Sequence, residues 1–387
     1  MYGAEVLCAL YAGVTGARSR FPVPPDGEWS YGDGLLRVRD GWRYLFLHGA
    51  PYEMGRQHGE LLRPVIQNLL DVYMRAIRLF RGLSRDVLLQ RARRHLPFVT
   101  DELRAEMRGI ADGAGLRFED ILIGHTFLES VQCIACACYA AWGSATHNGE
   151  MIFARNLEFF SMGVAHRCQV LMQCRPERGI PFLSLAWPGW CGSLTSVNAA
   201  GLCLGLLNVN RPATMNEGEP YPLLFRRLTQ YAGDCDEAAA LLRDARRTYS
   251  NNILAAQGRP PRRAVVLEHD ADRVVVREPK DSRQIIFATN HFRRLGRKQE
   301  WPEGKGFARY PAMHRQLTHR AGHIALETDI LSDRRIHLPN SLHCLIAAPE
   351  RRLVRVSHGR IPAATGPWRT LRYDLDEPAT TRDPATP

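Results

Sequence analysis

The 387-residue sequence predicts an α+β chain, with antiparallel sheets and helices gathered in separate blocks. Three observations predict it. Short strand-like runs follow one another across tight turns, the mark of antiparallel pairing. Helical spacing is confined to a few blocks instead of recurring after every strand. No internal repeat, low-complexity segment or linker divides the chain, and its 45% apolar content supplies a sizeable core.

The elements follow in order. "LLRVRDGWRYLFLHG" alternates around Asp40-Gly41 and predicts a hairpin. "PYEMGRQHGELLRPVIQNLLDVYMRAIRLF" carries helical spacing with a break or kink at Pro64. Gly55 and Gly59 lie one turn apart and suit a close-packed helix face, and His58 beside them suits a structural role. "DVLLQRARRHL" and "DELRAEMRGIADGAG" continue as helices, the second stopping at its glycines. "FEDILIGHTFLES" is a short helix or a loop. Strand candidates then run from "CACYAAW" through "GLCLGLLNVN". A helical block follows in "YPLLFRRLTQYA" and "CDEAAALLRDARR". Strands return in "NNILAAQ", in a hairpin turning at Asp270–Asp272, and in "RQIIFATNHF". A helix near "GFARYPAMHRQLTHRA" precedes a last hairpin, "SLHCLIAAPERRLVRVSHG". The tail is rich in Pro and Thr and is expected to be loose.

Composition narrows the function. No run is long enough to span a bilayer, and "VLCALYAGV" near the start lacks the basic residues that open a signal peptide. Ten cysteines without a regular framework read as free thiols in a reducing compartment, hence a soluble cytoplasmic protein with no membrane partner. The formal charge is +11, and Lys280, Lys298 and Lys305 are the only lysines. The arginines alternate with Asp and Glu, and no basic block is interleaved with aromatics. That reads as a solvated surface and argues against nucleic acid, while leaving room for an acidic ligand such as a coenzyme A thioester.

Chemistry concentrates in "CIACACYAAWGSATHNG", Cys133–Gly149. Zinc would want a second cysteine pair or nearby histidines, and Cys168 and Cys174 sit at the wrong spacing, so no metal site is expected. A redox pair normally opens a helix, and this one opens a strand. Cys133, Cys138 and Cys203 suit buried apolar positions. On a strand Cys136 and Cys138 share a face, and one of them could be a nucleophile.

Here the sequence resembles a family. "CACYAAWGSATHNG…FARNLEFF" is similar to the nucleophile segment of the isopenicillin N acyltransferase (acyl-coenzyme A:6-aminopenicillanic acid acyltransferase) family. Those proteins are N-terminal nucleophile (Ntn) hydrolases related to choloylglycine hydrolases. "GAPYEMGRQHGELL", "VNAAGLCLGLLNVN", "TNHF", "FARY" and "RRLVRVSHG" extend the resemblance in the right order. It implies a four-layer αββα sandwich, a single domain over residues 35–375 between an N-terminal extension, 1–34, and a tail, 376–387. It also implies self-cleavage between Ala135 and Cys136, leaving two associated chains. Cys136 is then the nucleophile, and its freed α-amine, with a reference pKa of ~7.7–8.0, serves as base without a histidine.

The resemblance assigns further roles. Arg155 and Glu158 flank the nucleophile, with Glu158 where the family has Asp, orienting the α-ammonium or the arginine. Asn208 contributes to the oxyanion site if a β-bulge absorbs one residue, with Asn198 and Asn210 as competitors. Arg309 falls at an arginine important for the site. Asn290 and His291 line or brace the cleft, His291 suiting a satisfied structural histidine. The expected activity is acyl transfer or amide hydrolysis through a thioester acyl-enzyme, on a small-molecule acyl donor or amide. No cofactor is expected beyond a coenzyme A thioester as donor, and homo-oligomerisation is left open. Ala135, Ala137 and Glu158 depart from the family pattern, so a catalytically silent binding protein on the same fold stands as the alternative.

Overall fold

The computed structural model describes residues 22, 24–130, 135–209, 217–296 and 305–376, without the side chains of 305–307. Asn210, Cys133 and the tail beyond Asp376 lie outside the described residues. Three strands open the chain: β1 (Gly27–Tyr31), β2 (Gly34–Arg39) and β3 (Trp42–Gly49). Five helices follow: α1 (Pro51–Leu61), α2 (Arg63–Arg81), α3 (Arg85–His95), α4 (Asp101–Ala114) and α5 (Phe118–Ser130). Six strands come next: β4 (Ala135–Gly143), β5 (Gly149–Glu158), β6 (Val170–Pro176), β7 (Phe182–Ala186), β8 (Thr195–Asn198) and β9 (Leu202–Asn208). Helices α6 (Tyr221–Tyr231) and α7 (Cys235–Asp244) precede β10 (Asn251–Gln257), β11 (Arg263–His269), β12 (Val274–Arg277) and β13 (Ile285–Ala288). Helix α8 (Lys305–His319) leads to β14 (Ser341–Ala348), β15 (Leu353–His358) and β16 (Arg369–Arg372).

The strands form two sheets. The large one runs β1-β2-β3-β6-β7-β8-β9-β10-β11-β12, and the small one β13-β4-β5-β14-β15-β16. Helices α1, α6 and α7 pack on the large sheet, α8 packs on the small one, and β4 meets β9, β10 and β11 where the sheets face each other. This is the expected αββα layering. All pairs are antiparallel except β3 with β6. Between those two, the chain builds five helices and the β4–β5 hairpin of the other sheet, a crossover long enough to return in the same direction. Strand β1 already pairs with β2, upstream of the boundary expected at residue 35.

Local chemistry explains the elements. The β2–β3 turn places Asp40 and Gly41 at φ 50° and 74°, the doubly positive turn that matches strand twist. Pro64 lies in the first turn of α2, so it breaks the helical run instead of kinking it. The stretch after it, "FEDILIGHTFLES", is a full helix, α5. Helix α4 does not stop at its first glycines: it runs through Gly109 and Gly113 and ends at Gly115, φ 65°. The reason is its contact with α1. A Cβ on Gly55 would lie 2.1 Å from Glu106 O, and one on Gly109 would lie 2.1 Å from Tyr52 O. Glycines on both helices let the backbones touch, which offsets the roughly 1 kcal/mol that each costs inside a helix.

Below this seam, Glu129 of α5 is fully buried and accepts from Tyr221 N at 2.7 Å. Burial pushes its carboxyl up to about 8. The native state therefore holds a proton that the unfolded chain releases near ~4.3, so stability falls by up to about 1.4 kcal/mol per pH unit across that window. Urea melts from pH 5 to 8 are expected to show this slope, and Glu129→Gln is expected to flatten it. A wild-type slope that persists in Glu129→Gln would assign it to other groups.

Candidate active site

Strand β4 is central in the small sheet, between β13 and β5. Its pleat sends Cys136, Cys138, Ala140 and Trp142 into the main core, and Ala137, Tyr139 and Ala141 into the smaller core beneath α8. Cys136 and Cys138 thus share a face, as expected, but their surroundings differ. Cys136 Sγ accepts from Arg155 Nη2 at 3.1 Å. Cys138 sits under Gly205, where an added Cβ would lie 2.9 Å from its Sγ. Burial raises both thiols, Cys138 well above its ordinary value. At Cys136 that rise is opposed by Arg155, increased by Glu158 and opposed again by Arg309.

Arg155 of β5 is itself fully buried. Nη2 also donates to Leu206 O at 2.8 Å, and Nη1 meets Thr195 Oγ1 and, at 3.0 Å, His343 Nε2. His343 Nε2 lies 3.0 Å from Thr195 Oγ1 as well. Burial first, and then Arg155, hold His343 well below the usual imidazole range, so it is neutral. Neither Thr195 nor His343 is marked by the motif reading. A histidine inside the apolar strand "SLHCLIAA" was the available signal.

A second cluster gathers around the Cys136 backbone. Cys136 N donates to Asn290 Oδ1 at 2.9 Å. Arg309 of α8 donates from Nη2 to Cys136 O and to Asn290 Oδ1, both at 2.6 Å. Glu158 pairs with Arg309 Nη1 at 3.1 Å, and both side chains are buried. Burial raises the Glu158 carboxyl and Arg309 opposes the rise. Glu158 therefore holds Arg309, on the opposite face of β5 from Arg155.

Asn290 is more central than its sequence position indicated, and Asn208 is less so. Strands β9 and β10 pair without a bulge, with Asn208 opposite Asn251. The pleat turns the Asn208 side chain away from the Gly205 face, where its Nδ2 donates to Asn251 Oδ1 at 3.2 Å. Its carbonyl, however, accepts from Asn290 Nδ2 at 2.7 Å. Asn198 caps the β8–β9 turn, accepting from Leu202 N at 3.1 Å. His291 Nδ1 lies 2.9 Å from Thr289 Oγ1, and burial lowers it to about 4.

An apolar cavity of about 810 Å³ including its mouth reaches strand β5. Leu157, the cross-strand partner of Cys136, forms part of its wall. Tyr73, Phe127, Phe159, Trp187 and Trp190 line it further. No group of His, Cys, Asp and Glu among the described residues is arranged to hold a metal ion. No helix among the described residues is long and apolar enough to cross a membrane.

Comparison with known proteins bears on this geometry. An uncharacterized protein of Archaeoglobus fulgidus is 26% identical over 275 residues, covering 63% of this chain and 46% of its own length. Protein dcd1A of Dictyostelium discoideum is 28% identical over 252 residues, 56% of this chain and 55% of its own. The chain thus spans about half the length of the curated relatives it matches. The Caenorhabditis elegans ortholog of N-acylethanolamine-hydrolyzing acid amidase superposes with a TM-score of 0.43 at 14% identity, over 56% of this chain and 93% of its own. Penicillin V acylase from Agrobacterium tumefaciens gives 0.40 at 11%, over 61% and 91%. Residues 144–346 match the family model described as acyl-coenzyme A:6-aminopenicillanic acid acyl-transferase, a span that opens just after Cys136 and includes Arg155, Glu158, Asn208, Asn290 and Arg309. That span is more than half of the sequence, and the chain belongs to the acyl-coenzyme A:6-aminopenicillanic acid acyl-transferase family.

Proposed function

We propose that the protein is a self-cleaving acyltransferase or amidohydrolase that works through a thioester on Cys136. The observation that carries this is the Arg155 guanidinium, 3.1 Å from the Cys136 thiol, with an apolar cavity walled by the thiol's cross-strand neighbour. In processing, Sγ attacks the Ala135 carbonyl. The Sγ–C bond forms, the Ala135–Cys136 peptide bond breaks, and the thiol proton goes to the leaving nitrogen. Water then releases Ala135 as a carboxylate and restores the thiol.

The freed α-amine inherits an acceptor already in place, because Asn290 Oδ1 lies 2.9 Å from that nitrogen. In turnover the amine takes the thiol proton as Sγ attacks the substrate carbonyl, and delivers it to the leaving amine or thiol. Arg155 favours the thiolate. Asn290 Nδ2, which donates to Asn208 O at 2.7 Å, is the amide donor nearest Cys136 that a developing oxyanion can recruit. Arg309 and Glu158 hold the Cys136 carbonyl and Asn290 in register. The cavity takes an apolar acyl group, and water or an amine completes the reaction.

The test is to mix protein with decanoyl-coenzyme A or decanoyl p-nitroanilide, quench in acid, and weigh the peptide that begins at Cys136. A decanoyl adduct there, lost on hydroxylamine treatment, is expected. Turnover without an adduct on that peptide under any quench would remove the thioester. Absence of both turnover and adduct would favour a silent binding protein.

A further inference from the structure

The segment Trp187–Leu194 joins β7 to β8 and contributes Trp187, Pro188, Gly189, Trp190 and Leu194 to the cavity wall. It has almost no ladder of its own, and beside the bonds from Trp190 N to Trp187 O, Ser193 N to Pro222 O and Arg226 Nη1 to Cys191 O, two of its amides are held by histidine rings. His58 Nε2, from α1, accepts from Gly189 N at 2.8 Å. His125 Nε2, from α5, accepts from Cys191 N at 2.9 Å. Both rings are buried. We propose that His58 and His125 are positioning residues: as neutral acceptors they fix this loop, and through it the cavity's selectivity for long apolar acyl groups. This deepens the acyl-transfer reading and rests on it for the substrate class.

Four observations support the assignment. First, the tautomers agree. His125 Nδ1 lies 2.7 Å from Ile121 O, so it carries the proton and leaves Nε2 as the lone pair. Second, burial pushes His58 to about 3 and His125 to about 4, so both lone pairs are available at neutral pH. Third, accepting at Nε2 puts the His58 proton on Nδ1, which has no partner among the described residues. A buried donor left unpaired costs about 1–3 kcal/mol, so fold stability alone is a poor reason for histidine at this position. Fourth, the loop cannot be displaced without consequence. Gly189 has φ 80°, and a Cβ there would lie 2.7 Å from Ile66 Cγ2, so the backbone lies directly on α2.

The loop also continues into the catalytic cluster. Leu194 O accepts from Leu206 N at 3.1 Å, and the next residue, Thr195, meets Arg155 Nη1. Trp187 Nε1 donates to Ala165 O at 3.0 Å, and its ring packs edge-on to Trp190 with centroids 5.9 Å apart. Fixing Gly189 and Cys191 therefore fixes two indoles that an acyl chain entering past Leu157 must touch.

The experiment compares His58→Leu, His125→Leu and the matching glutamine variants, which keep an acceptor near the Nε2 position. Kinetics are read on decanoyl and acetyl p-nitroanilide, and decanoate binding by calorimetry. Each leucine variant is expected to lower the decanoyl-to-acetyl ratio of kcat/KM about tenfold, through KM, as loss of one buried hydrogen bond allows. Decanoate affinity should fall by a similar factor, and glutamine should restore both. An unchanged ratio, or equal losses on both substrates with no change in decanoate binding, would overturn the proposal. Should either leucine variant fail to fold, His→Asn, whose acceptor is too short to reach the loop, is read the same way. Wild-type protein that binds decanoate with this histidine dependence but turns over neither substrate would sink the acyl-transfer reading and leave the histidine assignment standing.

Discussion

Cys136→Ala is expected to leave one uncut chain and to reduce turnover by at least about 10⁴-fold. The expectation follows from the surroundings of Cys136 on β4. Its side chain offers the thiol to Arg155 Nη2, while its backbone N–H and carbonyl are tied to Asn290 and Arg309. No other described cysteine combines a guanidinium hydrogen bond on sulfur with fixed partners on both its N–H and its carbonyl. Cys138 is the control. It shares the face of Cys136 but packs under Gly205, so Cys138→Ala should cost about 1 kcal/mol of packing and still cleave. Denaturing mass spectrometry and the anilide assay read both effects. Cleavage that survives in Cys136→Ala and disappears in Cys138→Ala would move the nucleophile one strand repeat along β4.

The fold was legible where one residue's chemistry dictates its own conformation. Asp40-Gly41 demands a doubly positive turn, and the alternating runs on either side can only be its strands. Pro64 likewise ends one helix and opens the next. Legibility failed where a partner distant in sequence overrides the local rule. Helix α4 ends at Gly115, the last of its glycines, as its sequence predicts, but nothing local shows that Gly109 and Gly113 serve to let α1 lie against them. The parallel pairing of β3 with β6 is invisible for the same reason: it depends on where a long crossover returns.

The site divides along the same line. Cys136, Arg155 and Glu158 lie on adjacent paired strands, so a local pattern could place them together. Arg309 and Asn290 reach Cys136 from distant segments, and only the resemblance pointed to them. Asn208 was placed by assuming a bulge, and the regular β9–β10 register puts its side chain on the other face. Thr195 and His343 meet Arg155 from two different sheets, a contact that no spacing in the sequence encodes. The apolar cavity is still less readable, because α2, α5, β5 and the Trp187–Leu194 loop each supply only part of its wall.

Glu158→Gln is expected to destabilise the protein by about 3 kcal/mol and to depress cleavage and turnover by about 100-fold. The two effects have one origin. Arg309 is 3% exposed and its ion-pair partner is Glu158, at 3.1 Å. An amide in place of the carboxylate leaves that guanidinium buried without a counter-charge, the costly way to break a buried pair. Arg309 then has reason to move toward water, and with it go its 2.6 Å contacts to Cys136 O and Asn290 Oδ1. Those contacts set where the Cys136 carbonyl and the future α-amine lie relative to Sγ, which is how a residue on the far face of β5 acts on the chemistry. Glu158→Asp keeps the charge but withdraws it by one methylene, so the pair lengthens beyond 3.1 Å and both effects should fall between wild type and Glu158→Gln. Stability is best read by urea unfolding in the Cys136→Ala background, where every chain is uncut and processing cannot confuse the comparison. Cleavage and turnover are read with Cys136 present. Loss of stability with undiminished turnover would make Glu158 and Arg309 a structural pair only. Loss of turnover at full stability would mean that Glu158 acts on the α-ammonium directly, with Arg309 held by its bonds to Ile336 O, Cys136 O and Asn290 alone.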